Sequence, residues 1–516
     1  MEPLKNLNFG VYHLKQAAQA LSASSTILGN AVSNSFNDVA KLGPSISCAQ
    51  PFIGVAEPIQ PDAASSCGKP ENLGNPALAI VPVKHLPPEV LSTVFVYVTA
   101  GYCRFNFLFE VSPLLSIIAV CSYWRQVALN TSSLWSHVDV YTASNLSGVE
   151  TAEMLTELWL SRVVNNVQLH VHFQAGNGWQ VPDSVISWAI SILKPYAAQI
   201  SSLNFPSWSS TEFVCAILGM GGSDSILSLR SLFIDSPTSH VHAIIPWSGN
   251  LLCGLVSLQL SGIGQAEGSL SFDQLHAFLA SSPAIRVIQL DRVDIVPSLE
   301  SDLPILTLPS LRILDLCRVN QVALLQLLPV LSSGDSDLYF GVDIAQEEEL
   351  AIVTATFIAR TRITSLTLRQ DYNDSNNLAK NYVCSTNHLH NLVLFSRLEF
   401  DMSHILEDLI SVRKQVGVVR DPRPINMMMV STPLDKNTRT KVMELVKMQL
   451  CQKIVYLGYY TSLDKVDEIE EFFDRLRSQE NIEVIEMDPF YNSSDIDEGG
   501  INDVIQRTLL ERVHWA

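Results

Sequence analysis

Leu308-Pro309-Ser310-Leu311-Arg312-Ile313-Leu314-Asp315-Leu316 is the stretch that decides the fold. In an extended chain successive side chains point to opposite faces, so Leu314 and Leu316 share one face and Asp315 takes the other. A helix-compatible stretch, Val322 to Leu331, follows. The same apolar–x–apolar pattern returns at Leu203-Asn204-Phe205, Leu232-Phe233-Ile234, Leu258-Gln259-Leu260, Ile288-Gln289-Leu290, Leu366-Thr367-Leu368 and Leu392-Val393-Leu394. The separations are mostly about 24–30 residues, and helix-compatible segments such as Phe272 to Leu279 lie between. One strand with one helix cannot bury its apolar face alone, so such units must stack side by side. The expectation is a curved parallel sheet with helices along its opposite side.

That period falls in the range of leucine-rich repeats. Leu255-Val256-Ser257-Leu258-Gln259-Leu260 is the second most persuasive unit. Such repeats usually carry Asn or Cys three residues after the last strand leucine, where it bonds backbone groups in a ladder. Here those positions are Ile263, Val293 and Val319. An apolar filler makes no ladder bonds, which predicts an irregular solenoid of uneven curvature. The period continues less regularly through Ile454-Val455-Tyr456-Leu457 and Ile482-Glu483-Val484-Ile485. A charged amphipathic helix is expected over Asp464–Glu480, and a last helix from Ile501 to Trp515 is expected to cap the array. The alternative is an ordinary α/β sheet with short helices. It gains nothing from glycine, because Gly262, Gly264 and Gly268 lack the spacing of a phosphate loop.

Upstream the rhythm differs. Leu86-Pro87-Pro88-Glu89 opens a helical block, with proline in the first turn where a missing amide hydrogen is harmless. Val90, Leu91, Val94, Phe95 and Val98 make an apolar face. Ser112-Pro113 opens a second helix, followed closely by Trp124-Arg125-Gln126-Val127-Ala128-Leu129 and then Leu134-Trp135. Prolines 44, 51, 58, 61, 70, 76 and 82 mark a linker. The expected division is 1–42, an N-terminal helix or tail; 43–83, the linker; 84–141, the helical block; and 142–516, the solenoid with its C-terminal cap.

The helical block resembles the F-box. The resemblance rests on Leu86-Pro87-Pro88-Glu89-Val90-Leu91, Val94-Phe95, Pro113-Leu114-Leu115, Val120-Cys121-Ser122-Tyr123-Trp124-Arg125, Ala128-Leu129 and Leu134-Trp135, in that order. The full arrangement, with Trp159-Leu160-Ser161-Arg162 ahead of the repeats, is similar to the large F-box families of mushroom-forming fungi. The stretch Thr99–Val111 is longer and more aromatic than the usual link between the helices. The resemblance implies a non-catalytic substrate receptor of a Skp–cullin–F-box ubiquitin ligase, with no cofactor. Matching motif positions imply that Pro87, Glu89, Val90, Leu91, Val94, Phe95, Leu115, Val120 and Trp124 meet the Skp adaptor, while the array holds a target protein. Trp124 and Leu134-Trp135 serve equally well as internal core. A repeat scaffold without ligase association is the alternative.

Composition narrows the rest. The 516 residues carry 33 Lys plus Arg against 52 Asp plus Glu, a formal charge of −19, so nucleic acid is a poor partner. The longest largely apolar run, Leu114–Cys121, falls far short of the ~20 residues of a membrane span, and the start lacks a secretory signal. Nine scattered cysteines without a Cys-x-x-Cys pair suggest a reduced intracellular protein. Three His-x-His pairs (His170/His172, His240/His242, His388/His390) would each project from one strand face, yet none has Cys or carboxylate at ligand spacing. Gly334-Asp335-Ser336 with Glu511 and His514 imitates a Gly-Asp-Ser-Leu serine hydrolase, but Asp337 replaces the leucine and Glu511 the aspartate.

Overall fold

The structure, a computed structural model, describes residues 86–100, 113–141, 149–163, 167–174, 181–205, 211–221, 229–235, 252–264, 270–299, 303–370, 379–386, 388–396, 402–417, 424–431, 434–458, 466–479 and 482–487, all within the unit Val81–Ala516. The expected N-terminal helix, the Pro-rich linker and the helix Ile501–Trp515 lie outside the described residues.

Three helices open the described chain: α1 (Pro88–Ala100), α2 (Pro113–Val120) and α3 (Ser122–Asn130). Leu91 and Phe95, one turn apart on α1, pack with Leu114 and Ile117 of α2 and with Val127 and Ala128 of α3. The Cys121 Sγ caps α3 by accepting the Trp124 amide at 3.4 Å. A short 3-10 turn, Ser132–Trp135, closes the block. The Trp135 indole is buried and donates to the Ala128 carbonyl at 3.0 Å, the partner a buried N–H requires. Helices end there: His137–Tyr141 is already strand β1, the first of the sheet.

From β1 onward the chain builds one 13-stranded parallel sheet in strict sequence order. Its further strands are β2 (Leu169–Gln174), β3 (Ile200–Phe205), β4 (Ser231–Asp235), β5 (Ser257–Ser261), β6 (Val287–Asp291), β8 (Ile313–Cys317), β10 (Leu338–Asp343), β11 (Ile363–Gln370), β12 (Asn391–Ser396), β13 (Ile425–Ser431), β14 (Cys451–Gly458) and β15 (Glu483–Met487). Two short strands, β7 (Leu306–Thr307) and β9 (Leu331–Ser332), pair separately. The expected Phe272–Leu279 and Val322–Leu331 helices are found at Phe272–Ala280 and Gln321–Val330, and the charged one at Val466–Arg477.

Register explains why the stack holds. Val287, Ile313, Tyr339, Ser365 and Asn391 are paired in line, each 26 residues beyond the last. One residue along, Ile288, Leu314, Phe340, Leu366 and Leu392 form a continuous apolar row, and Leu290, Leu316, Val342, Leu368 and Leu394 form a second. Both rows are buried against helix residues such as Leu275, Leu324, Leu327, Phe357 and Leu406. Each fully buried leucine contributes about 1.5–3 kcal/mol, and a one-residue slip would turn a whole row outward.

The three apolar fillers behave as anticipated: Ile263, Val293 and Val319 are buried in this core. Backbone satisfaction is supplied elsewhere. Asn320, next to Val319, donates to the Ile295 carbonyl and accepts from the Ile295 amide, both at 2.9 Å. Gln326 makes the equivalent pair with Ser298, at 3.0 and 2.9 Å. The turns between strand and filler are left-handed at Gly262 (φ 69°), Arg292 (53°) and Arg318 (52°). Arg318 holds that uncommon conformation with a bidentate bond to Asp291 (2.8 and 2.9 Å) and a backbone N–H donated to Asp343.

One ion pair crosses an intervening strand. Arg369 on β11 meets Asp315 on β8 in a bidentate bridge (2.7 and 2.9 Å), although β10 runs between them. Gly341 makes the crossing possible. A Cβ there would overlap Asp315 Oδ1 and lie 2.9 Å from its carboxyl carbon and 3.2 Å from Arg369 Nη1. Both charges are buried, and breaking such a pair leaves an uncompensated ion in low dielectric. Gly341→Ala is therefore expected to destabilise the sheet by about 3–5 kcal/mol, the cost of a broken buried pair. Urea unfolding measures this; a midpoint equal to that of the native chain would refute the bridging role.

Candidate interaction surfaces

The helical block presents two opposed faces. On α1, Leu91 and Phe95 are buried, whereas Val90 (45% exposed) and Tyr97 (72% exposed), seven residues apart, share the outer side. Val94, between them, is half-buried. Pro87 and Glu89 are exposed, and Val120 at the end of α2 is 56% exposed. Trp124 is half-buried, its ring 5.0 Å from Phe95. The Leu115 side chain lies outside the described residues. Of the nine positions named from the motif, Leu91 and Phe95 thus belong to the block's own core. Val90, Val120, Pro87 and Glu89 face solvent. Tyr97 was missed by motif matching, although its i+7 spacing from Val90 marks the same helix face.

The block is tied to the sheet. Trp135 and Trp159 meet edge-to-face with centroids 5.7 Å apart, and Val163 packs against both cores. The Ser136 carbonyl accepts the His170 amide at 2.8 Å, which joins the end of the 3-10 turn to β2. Helix α4 (Val149–Leu160) carries Trp159, and its Thr156 donates to the Asp139 carbonyl of β1 at 3.0 Å. The exposed side chains Val90, Tyr97 and Val120 thus sit on a block that is fixed to the sheet.

Residues 83–141 match the F-box-like family. This F-box-like domain coincides with the three helices, the 3-10 turn and strand β1. F-box domains in general bind the Skp adaptor and serve as non-catalytic subunits. No curated protein matches the chain.

The second surface is the sheet face turned away from the helices. Asp315, Arg369, Tyr339 and Thr367 form its polar centre; the Tyr339 hydroxyl shares a 2.8 Å bond with Thr367 Oγ1. Burial, and then the neighbouring Asp315 charge, raise the Tyr339 pKa above its ordinary value. Burial also pulls the Arg369 pKa down, but the Asp315 carboxylate more than offsets this and leaves it well above normal. Burial pushes the Cys317 thiol well up. Tyr339 therefore stays protonated and Arg369 charged at neutral pH, and both serve as bonding partners within this face.

Further along, toward the last strands, the same face carries carboxamides. Asn391 on β12 donates to Ser365 Oγ (2.9 Å), Asn426 on β13 donates to Asn391 Oδ1 (2.9 Å), and Gln452 on β14 donates to Asn426 Oδ1 (3.2 Å). Lys453 beside them pairs with Glu483 at 2.7 Å. No sequence signal singled these residues out.

At the other end three histidines gather. His137 on β1 stacks on His170 of β2 with centroids 4.6 Å apart and planes 15° from parallel, and His172 is 6.1 Å from His137. Stacked rings set their in-plane lone pairs side by side rather than converging, and no group of three or more His, Cys, Asp or Glu suited to a metal ion occurs among the described residues. His240 and His242 lie outside the described residues, and His388 and His390 precede β12 rather than lying on it. Ser336 of the hydrolase-like motif is exposed and donates to the Pro309 carbonyl at 2.9 Å, while Glu511 and His514 lie outside the described residues. No helix of the described residues is long and apolar enough to cross a membrane.

The histidine cluster makes stability depend on acid. Burial, and then repulsion from its neighbours, lowers His137 from 6.5 to about 3; the same causes lower His172 to about 4, and burial lowers His170. Above pH 6.5 the rings are neutral whether the chain is folded or not. Below it, the unfolded chain binds protons that the folded sheet excludes, so stability falls as pH drops toward the folded values. Between pH 6.5 and 5 His137 and His172 each remove up to about 2 kcal/mol. The double variant His137→Gln/His172→Gln should lose less stability than the native chain between pH 7 and 5, read by urea midpoints; an equal loss would refute the assignment.

Proposed function

We propose that this chain is the substrate-receptor subunit of a Skp–cullin–F-box ubiquitin ligase. The F-box-like match at residues 83–141 carries the reading, and it falls on the helical block that offers Val90, Tyr97 and Val120 to solvent. In this reading the outer face of α1 and the end of α2 receive the Skp adaptor. Pro87, Glu89, Val94 and Trp124 border that face, while Leu91 and Phe95 keep the helices in place beneath it. Leu115 is carried over from the motif alone. The parallel sheet, with its irregular leucine-rich units, holds the target protein. The chain then needs no chemistry of its own: it raises the effective concentration of the target's lysines near a ubiquitin-loaded enzyme. The Trp135–Trp159 contact supports this division, because a target held on the sheet is placed rigidly with respect to the adaptor. In keeping with the composition, we place this activity inside the cell, with no nucleic acid or lipid partner.

Exposed positions give the sharpest test, since their replacement leaves the core intact. Co-purification of the full chain with the Skp adaptor is expected. Val90→Asp/Val120→Asp is expected to weaken that binding at least tenfold while thermal unfolding stays unchanged, because a charge replaces apolar contact at the centre of the interface. Absence of binding by the native chain, or binding indifferent to both substitutions, would refute the proposal.

A further inference from the structure

We propose that the Asn391–Asn426–Gln452 carboxamide row is a recognition track for the main chain of an extended peptide segment. This deepens the reading of the sheet as the target-holding part and rests on it. Four observations carry the inference.

First, the residue types are out of place. Asn is among the residues depleted in strands, yet Asn391 and Asn426 begin the paired stretches of β12 and β13 and sit directly opposite one another. The same register row holds Ser231, Ser257, Val287, Ile313, Tyr339 and Ser365 on earlier strands, so the carboxamides are a local departure.

Second, a bulge presents the last rung, at the strand start where β10/β11 and β2/β3 also shift register. Ile425 pairs with Cys451 but Asn426 pairs with Lys453, which leaves Gln452 as the extra residue of a bulge. A bulge re-aims a side chain, and here Gln452 is turned to bond Asn426 while remaining exposed.

Third, among the described residues the row has unspent bonding capacity. Each carboxamide offers two N–H donors and two acceptor lone pairs. Along the row each uses one N–H toward the preceding strand, and the Asn391 and Asn426 oxygens accept one bond each. The remaining donors and acceptors match a peptide group, which also offers one of each. Three rungs about 4.8 Å apart span roughly 10 Å, the length of about three extended residues.

Fourth, the last two rungs border a shallow, open depression. Asn426, Gln452, Lys453, Ile482 and Glu483 line it, with a volume of about 520 Å³. One side-chain position further along the same strands, Val393, Met428 and Val455 are buried. What this region offers to solvent is therefore polar. The Lys453–Glu483 pair is balanced in charge, so it does not select for a charged ligand.

Main-chain recognition separates this from ordinary side-chain binding. A displayed library of unstructured decapeptides, selected against the full chain, supplies the probe. An enriched peptide is expected to lose at least tenfold in affinity when alternate backbone nitrogens are methylated, and at least tenfold against Gln452→Ala or Asn426→Ala. Gln452 is exposed, so its variant is expected to keep the native urea midpoint, and peptide methylation leaves the protein untouched. No enriched peptide, or peptides indifferent both to methylation and to the two substitutions, would overturn the proposal. Skp adaptor binding by the same variants is expected to stay at the native level. Its loss in the native chain would count against the receptor reading and leave the peptide measurements to decide the track on their own.

Discussion

From β1 to β14 the large sheet sets one apolar or aromatic side chain in each of the same two helix-facing rows, which end at β15 with Val484 and Glu486, and this shared register governs the rest of the molecule. A parallel pair needs a crossover, and in the central strands a repeat of 26 residues, strand included, leaves room for one short helix and little else. Each helix covers only its own strand and part of the next. The core is therefore continuous and one-dimensional, and a strand that slipped by one residue would expose apolar side chains along a whole unit. Features on the open face inherit this regularity. The Tyr339–Thr367 bond and the carboxamide row link side chains that the register sets opposite or diagonal on neighbouring strands, and the Asp315–Arg369 bridge reaches across the strand between them.

Much of this was legible. Seven apolar–x–apolar triplets and two less regular apolar runs marked nine strands. Strands β10 and β13 went unmarked. In β10, Tyr339 and Phe340 point to opposite sides and are both buried, and in β13 Met427, Met428 and Met429 are buried in succession. Strand β2, Leu169-His170-Val171-His172-Phe173, does alternate, and its histidine pair was read as projecting from one strand face without a metal-ligand set. Strand β1 was hidden inside the stretch read as helical. Position 341 held a readable sign: a glycine within a strand marks a close approach, here of two side chains from the strands on either side. Positions 263, 293 and 319 are apolar and buried as read; what went unseen is that Asn320, one residue later, bonds the Ile295 backbone.

The F-box-like domain was legible as a motif but not as a surface. Spacing alone puts Val90, Leu91, Val94 and Phe95 in one apolar class. Packing against α2 and α3 divides that class into a buried pair and an outward strip that also includes Tyr97. The carboxamide row was invisible for a deeper reason: Asn391, Asn426 and Gln452 are 35 and 26 residues apart, and only the register joins them.

The central claim is that the chain has an adaptor-facing end and a target-facing sheet, held rigidly together through Trp135 and Trp159. Cryo-electron microscopy of the full chain bound to the Skp adaptor tests it most directly. The account predicts adaptor density over Val90, Tyr97 and Val120, with the sheet face bearing Asp315, Arg369 and Asn426 left open. Adaptor density on that sheet face, or a complex in which Val90 and Val120 remain in solvent, would contradict it.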